Sequence, residues 1–142
     1  MNVETILRNK GSWVATIRPD TTIAEAVETL NRERIGALVV SEDGNSVDGV
    51  LSERDIVIAL DDYGTELLSC PVDEIMTRNV VTCDLADTVQ ELMAEMTKRR
   101  FRHVPVVKDG RLCGIVSIGD LVKNRLDEVE FEADSLRSFI AG

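Results

Sequence analysis

Residues 49–55 read Gly-Val-Leu-Ser-Glu-Arg-Asp, and residues 114–120 read Gly-Ile-Val-Ser-Ile-Gly-Asp. In both stretches an apolar run leads into a serine, and an aspartate follows three residues later. Ser-x-x-Asp is typical of a helix N-cap, so each stretch predicts a strand that passes directly into a helix. Because this transition occurs twice, the sequence indicates an internal repeat.

The repetition extends outward from these stretches over most of the chain. Residues 49–55 precede their copy by 65 positions, and residues 14–44 precede residues 80–110 by 66 positions. The offset between the copies changes by one residue at an Asp-Gly turn, where an insertion is tolerated. A shorter echo precedes each copy, Val3-x-x-Ile6-Leu7 and Val72-x-x-Ile75-Met76. The chain therefore consists of two copies of one unit.

Each copy carries the same local signals. Thr22-x-x-Glu25 and Thr88-x-x-Glu91 predict capped helices, and the runs after them predict a hairpin followed by a second helix. The expected fold class is α/β (α+β), with a small three-stranded sheet and two helices in each repeat. A unit of this size is marginal alone, so we expect the two sheets to pack together with pseudo-two-fold symmetry. The expected divisions are 1–64, 65–126 and a C-terminal helical extension, 127–142.

Composition excludes several classes of function. The net charge is −10, which argues against nucleic acid and anionic membrane surfaces as partners. No apolar run is long enough for a membrane span. Three cysteines, an odd number, predict reduced thiols and a cytoplasmic location, and a single histidine argues against a metal site.

The C-terminal extension predicts self-association. Its apolar residues recur near helical spacing, at Leu126, Val129, Ala133, Leu136 and Ile140. A helix longer than its own repeat needs has apolar surface to spare, and a second copy could cover it. We therefore expect a homodimer. The alternative is that the extension folds back on its own domain.

The tandem units resemble cystathionine beta-synthase (CBS) domains, whose pairs are called Bateman modules. The resemblance covers roughly residues 1–126 and rests on the two Gly-x-x-Ser-x-x-Asp stretches and on Arg102-His103-Val104-Pro105-Val106. It implies an adenine nucleotide in the cleft between the repeats, with AMP foremost and ATP, NAD or S-adenosylmethionine as alternatives. It also implies dimers.

The paired motifs supply the first candidate binding residues. By the resemblance, the hydroxyls of Ser52 and Ser117 would meet phosphate, and the carboxylates of Asp55 and Asp120 would meet ribose. Physical chemistry supports this, because free N–H groups at a helix start hold phosphate. The alternative is that these residues only cap helices.

The sequence around the motifs adds unequal candidates in the two copies. Arg54 could pair with a phosphate or could be a solvated helix residue, and Gly119 stands at its position in the second copy. The stretch Ile35-Gly36-Ala37-Leu38 predicts an apolar slot for adenine in the first copy. Thr16 and Thr82 end the first strand of each copy. By the resemblance, the backbone and hydroxyl at this position would contact the base or ribose of the nucleotide. Either residue could instead be an ordinary strand threonine.

The second copy replaces the apolar slot with polar residues. Arg100 and Arg102 are candidates for phosphate contacts or for a solvated basic face. His103 could donate a hydrogen bond to a ligand or titrate near neutrality, or it could be a satisfied half-buried histidine. Pro105 would interrupt a strand ladder, which suits an edge position.

No catalytic motif accompanies these residues. The phosphate-binding loop, the nucleophile elbow and the zinc-protease motif are missing, so the sequence predicts that the chain is not an enzyme. Two hypotheses remain. The chain is either a nucleotide sensor that signals to a separate effector protein, or a dimeric scaffold without a ligand.

Overall fold

The computed structural model describes residues 1–141 of the chain. Two small sheets alternate with five α-helices in the order that the repeat predicts. The elements are α1 (Val3–Lys10), β1 (Thr16–Ile17), α2 (Ile23–Glu33), β2 (Ala37–Val40), β3 (Gly49–Ser52), α3 (Glu53–Tyr63), two 3-10 segments (Gly64–Ser69 and Val72–Glu74), α4 (Val89–Arg99), β4 (His103–Lys108), β5 (Arg111–Ser117) and α5 (Ile118–Ala141).

Equivalent caps confirm that α2 and α4 are copies of one helix. The Thr22 hydroxyl accepts from the Glu25 N–H at 3.3 Å, and the Thr88 hydroxyl accepts from the Glu91 N–H at 3.1 Å. Both helices end on an arginine with positive φ, 55° at Arg34 and 58° at Arg100. Each helix therefore ends at an arginine in the left-handed conformation, where the backbone leaves the helix.

The two sheets differ in one respect from the prediction of three strands each. In the first, β2 pairs in parallel with β1 and antiparallel with β3. In the second, β4 pairs antiparallel with β5, and the third strand is reduced to a single bridge between Cys83 and Val106.

Pro105 explains the shortened third strand. In the first repeat the Val39 N–H donates to the Ala15 carbonyl at 3.1 Å. Pro105 stands at the position of Val39 and has no N–H, so the equivalent bond to Val81 cannot form. The proline interrupts the ladder, as predicted, but the predicted edge position is wrong. Pro105 pairs with Ile115 of β5 on one side, and its carbonyl accepts from the Cys83 N–H at 3.0 Å on the other.

Each repeat has its own hydrophobic core, and the chain crosses between the two. The first core contains α2, β2 and β3 together with Leu67, Val72 and Met76. The second contains α4, β4 and β5 together with Val3, Ile6 and Leu7 of α1. The division at 64/65 thus follows the repeating sequence, whereas the packing places α1 with the second repeat and the connecting segment with the first.

Two glycines allow these crossing segments to lie against the sheets. A Cβ on Gly49 would lie 2.6 Å from Met76 Sδ and 2.8 Å from the Thr77 carbonyl oxygen. A Cβ on Gly114 would lie 2.7 Å from Leu7 Cδ1. The glycine that opens each Gly-x-x-Ser-x-x-Asp stretch is therefore required by close packing.

The last helix extends well beyond its own repeat. α5 has 24 residues and buries Leu121 and Asn124 against the second core. Farther along, Leu126, Leu136 and Ile140 are 58%, 59% and 75% exposed. The extension therefore does not fold back on its own domain. Across residues 1–141, none of the helices combines the length and the apolar character that a membrane crossing requires.

Candidate functional site

A cavity of about 560 Å³ lies between the two repeats. This volume falls in the range of small-molecule sites. Its walls come from the first repeat, the connecting segment and the second repeat. The lining residues are Gly36, Val50, residues 52–55, Ile58, Thr77, residues 79–81 and residues 99–103.

The start of α3 forms one wall of the cavity. The Asp55 Oδ2 accepts from both the N–H and the hydroxyl of Ser52 at 2.9 Å, and the Ser52 hydroxyl accepts from the Asp55 N–H at 3.3 Å. Thr77 donates its hydroxyl to Asp55 Oδ1 at 3.2 Å. The capping role is therefore confirmed. Because both residues also line the cavity, the cap places the free N–H groups and the carboxylate where a ligand could meet them.

Four arginines line the cavity, although the chain is strongly acidic. They are Arg54, Arg99, Arg100 and Arg102, against two carboxylates, Glu53 and Asp55. Within residues 1–141, Arg54, Arg100 and Arg102 form no ion pair. The cavity therefore carries an excess of positive charge and unpaired guanidinium groups, which is the chemistry that binds phosphate.

His103 packs against Gly36 in the lining of the cavity. A Cβ at Gly36 would lie 3.4 Å from His103 Nε2, which is van der Waals contact, so the imidazole lies directly beside the glycine. Burial lowers the pKa of His103, and the nearby carboxylates of Asp120 and Glu53 oppose that effect without reversing it. The imidazole is therefore neutral at pH 7 and can act as donor or acceptor.

The second Ser-x-x-Asp motif has a different environment. The Asp120 carboxylate accepts from the Ser117 N–H at 2.8 Å and from Lys10 Nζ, also at 2.8 Å. Lys10 donates in addition to the Ile115 carbonyl at 3.0 Å. Burial alone would raise the pKa of Asp120, but the hydrogen bonds from Lys10 and Ser117 outweigh it and lower the pKa.

Lys10 makes the contacts that Thr77 makes in the first repeat. There, the Thr77 N–H donates to the Val50 carbonyl at 2.9 Å while its hydroxyl reaches Asp55. A single ammonium group thus takes the place of an amide and a hydroxyl. Its positive charge is also neutralised by the carboxylate that it covers.

The cavity brings together seven of the predicted site residues. These are Gly36, Ser52, Arg54, Asp55, Arg100, Arg102 and His103. Ile35 lines a separate, more open groove beside α2 and α3. Thr16, Thr82, Ser117 and Asp120 line neither of these two cavities.

Of the adenine slot predicted at residues 35–38, Gly36 lines the cavity, whereas Ala37 and Leu38 do not. Leu38 is fully buried in the first core, and Ala37, 6% exposed, lies on the opposite face of the same strand. Pro105 is also buried. It affects the site only because it has no N–H to donate to the Val81 carbonyl. All three are buried residues of β2 or β4, and none of their side chains lines the cavity.

Sequence reasoning missed the part of the wall that the connecting segment supplies. Thr77, Asn79, Val80 and Val81 line the cavity, as does Arg99. A signal was available, because these residues directly precede the second copy and a cleft between repeats must be bounded by the chain that joins them.

The cysteines show no reactive character. Burial raises the pKa of the Cys83 thiol to about 12, and it also raises the pKa of Cys70 and Cys113. All three are free thiols. A thiol with a raised pKa holds little thiolate at neutral pH, so redox or nucleophilic chemistry at these positions is disfavoured.

The fold and the cavity define a paired-repeat module with a cavity between its halves. The family model for the CBS domain matches the chain twice, at residues 14–62 and 72–127. The chain belongs to the CBS domain family.

Relatives agree with this assignment. The mitochondrial CBS domain-containing protein CBSX3 of Arabidopsis thaliana is 35% identical over 136 residues, which are 93% of this chain and 66% of the plant protein. The CBS domain-containing protein YhcV of Bacillus subtilis is 32% identical over 113 residues, 80% of this chain and 79% of that protein.

Solved structures share the fold. A CBS-domain containing protein from Agrobacterium tumefaciens superposes with a TM-score of 0.85 and is 48% identical, covering 88% of this chain and 99% of its own. The CBS domain pair of protein MJ0100, in complex with 5′-methylthioadenosine and S-adenosyl-L-methionine, gives a TM-score of 0.78 at 29% identity, covering 90% and 98% of the two chains.

Proposed function

We propose that this chain is a regulatory module that binds an adenine nucleotide, AMP foremost, in the cavity between its repeats. The observation that carries the proposal is the convergence of three unpaired guanidinium groups and the start of α3 on one cavity. An acidic chain gains nothing in stability from grouping unpaired arginines, so their placement favours an anionic ligand.

The cavity offers a distinct environment to each part of a nucleotide. Arg54, Arg100 and Arg102 and the N–H groups of α3 suit the phosphate. The Asp55 carboxylate suits the ribose hydroxyls. The Val81 carbonyl has no Pro105 N–H to satisfy it, which leaves it available to a base amino group.

Phosphate distinguishes the proposed ligand from those seen in a relative. Protein MJ0100 is described in complex with 5′-methylthioadenosine and S-adenosyl-L-methionine, which both contain adenosine and lack phosphate. That complex supports an adenosyl ligand for this family member. The arginines of the present cavity favour a phosphorylated one.

We further propose that binding occurs in the first cleft alone. Asp120 is held by Lys10, and a ribose would have to displace that ammonium group from a half-buried carboxylate. Since each repeat contributes a wall of the open cavity, a bound nucleotide would draw the repeats together. A separate effector protein would respond to that change, and no catalytic step is required.

The test is thermal unfolding and isothermal titration with AMP, ADP, ATP, NAD and S-adenosylmethionine. A ligand at about 100 times its Kd stabilises the folded state by about 2.7 kcal/mol, which is a clear rise in Tm. We expect one nucleotide per chain, with phosphorylated ligands preferred. No shift with any of the five compounds would leave the ligand-free scaffold as the function.

Two matched pairs of variants locate the site. Asp55→Ala should abolish binding, whereas Asp120→Ala, at the equivalent position in the second repeat, should retain it.

Arg102→Gln should weaken binding about tenfold or more, because it removes a charged hydrogen bond. Arg111→Gln, an exposed arginine outside the cavity, is the control. Equal effects of the two aspartates would contradict the choice of the first cleft.

A further inference from the structure

An apolar stripe runs along the outer side of α5. Its members alternate at spacings of three and four residues, which is the a/d pattern of a coiled coil. They are Gly119, Val122, Leu126, Val129, Ala133, Leu136 and Ile140. The two residues that α5 buries in its own repeat, Leu121 and Asn124, lie on a different side of the helix. At about 100° per residue, the stripe is turned roughly 140° from them.

We propose that α5 pairs with α5 of a second copy of this chain as an antiparallel two-stranded coiled coil. The register places Leu126 opposite the partner's Val129. The next layers then join Val122 to the partner's Ala133 and Gly119 to the partner's Leu136. In every layer a larger side chain meets a smaller one, so the seam closes without gaps.

Charges beside the stripe are complementary in the same register. Antiparallel pairing brings Lys123 beside the partner's Glu130 and Arg125 beside the partner's Glu132, twice each by symmetry. In the described part of the chain, Lys123, Glu130 and Glu132 form no ion pair. Arg125 already pairs with Glu128 of its own helix at 3.1 Å, so Lys123, Glu130 and Glu132 are the charges that gain an ion pair only from a second copy.

The same register also gives a contact to Phe139, the most exposed of the large apolar side chains in residues 1–141. Phe139 is 85% exposed and lies on the stripe's flank. In the antiparallel pair it reaches the partner's Ile118, which is partly buried at the start of α5. One copy would thus cover the apolar end of the other's helix, as expected of an interface residue.

A parallel pair fits the same helix less well. It would place Ala133 against the partner's Ala133 and leave a gap in the middle of the seam. Lys123 would meet the partner's uncharged Ile118, and Phe139 would have no counterpart within the helix. Both orientations allow some ion pairs, so the variants below are chosen to separate them.

The proposal is independent of nucleotide binding and is tested on the full chain by sedimentation velocity over a range of concentrations. We expect a dimer. Leu126→Glu should raise the dimer Kd at least about tenfold, since it places a charge in the seam. Phe131→Glu is the matched control, because Phe131 is 74% exposed on the side away from the stripe. Circular dichroism checks that each variant is folded.

Charge exchange tests the register itself. Lys123→Glu should weaken the dimer about threefold to tenfold, and adding Glu130→Lys should restore it. In one copy these side chains lie two helical turns apart, so the restoration must come from the partner. A monomeric wild type, a dimer unaffected by Leu126→Glu, or restoration of Arg125→Glu by Glu130→Lys, the parallel signature, would overturn the proposal.

Discussion

The ammonium group of Lys10 lies 2.8 Å from the carboxylate of Asp120, although 110 residues separate them in the sequence. The contact joins the end of α1 to the start of α5, and both side chains are largely sheltered from solvent. It covers the Ser-x-x-Asp motif of the second repeat, while the motif of the first repeat opens into the cavity. Two nearly identical motifs therefore have different surroundings.

Replacing Lys10 should reveal this pairing through its pH dependence. Because the pKa of Asp120 is lowered in the folded state, its stabilisation is present above pH 3.8 and is lost as the pH falls below that value. Lys10→Met should reduce the free energy of unfolding by about 0.5–1 kcal/mol at pH 7, a figure discounted for partial exposure. Urea unfolding should show the difference shrinking below pH 3.8. Arg8→Met, which breaks an exposed ion pair with Glu4, should have almost no effect.

His103 should make the protein sensitive to mild acid. Its pKa is lowered from 6.5 by burial, so the unfolded chain binds a proton more readily than the folded chain. The stability contributed by the neutral imidazole is complete above pH 6.5 and declines below it. His103→Gln should therefore lose less stability than the wild type between pH 7 and pH 5. Since the chain has one histidine, superimposable curves of stability against pH would contradict the assignment.

Pro105 should control the length of the third strand in the second sheet. Pro105→Val supplies an N–H directed at the Val81 carbonyl, as Val39 supplies one to Ala15. The amide introduced at position 105 should exchange slowly with solvent, and nucleotide affinity should fall because the carbonyl is then occupied. Val39→Pro is the reciprocal change and should destabilise the protein by about 1–3 kcal/mol, because the Ala15 carbonyl loses its donor. Rapid exchange at position 105 would argue against the proline as the cause.

The two close-packed glycines should differ in their tolerance of a methyl group. Gly49→Ala places Cβ against the Thr77 carbonyl oxygen, a backbone atom that cannot move alone. Gly114→Ala meets the Leu7 side chain, which can rotate. We expect a loss of about 2–3 kcal/mol in unfolding free energy for Gly49→Ala and about 1 kcal/mol for Gly114→Ala, measured by urea unfolding. The reverse order would show that Leu7 is the more rigid neighbour.

The repeat and its helix caps could be predicted because they depend on local chemistry. Thr22, Thr88 and the two Ser-x-x-Asp motifs act within one helical turn, and the sequence shows both copies side by side. The effect of Pro105 could also be foreseen, since a missing N–H acts wherever the strand is placed.

The crossing of the chain and the role of Lys10 could not be predicted. The echoes beginning at Val3 and Val72 are nearly the same, so pattern alone cannot decide which core receives which segment. Lys10 is the last residue of α1 and belongs to no recognisable motif. Its contact with Asp120 depends on where α1 packs, which is a property of the whole fold. For the same reason, the sequence did not show that Ala37 and Leu38 would be buried while Gly36 lines the cavity.

The exchange of segments between the two cores has a consequence for synthesis on the ribosome. Residues 3–7 are synthesised before the helix and strands that cover them, which follow more than 80 positions later. The first core, by contrast, is complete once Met76 has emerged. The nascent chain would thus hold an unburied amphipathic helix until the second repeat has been made. In the folded protein each repeat is covered by a segment that precedes the other repeat. Separating the two repeats would therefore expose buried apolar side chains of both cores.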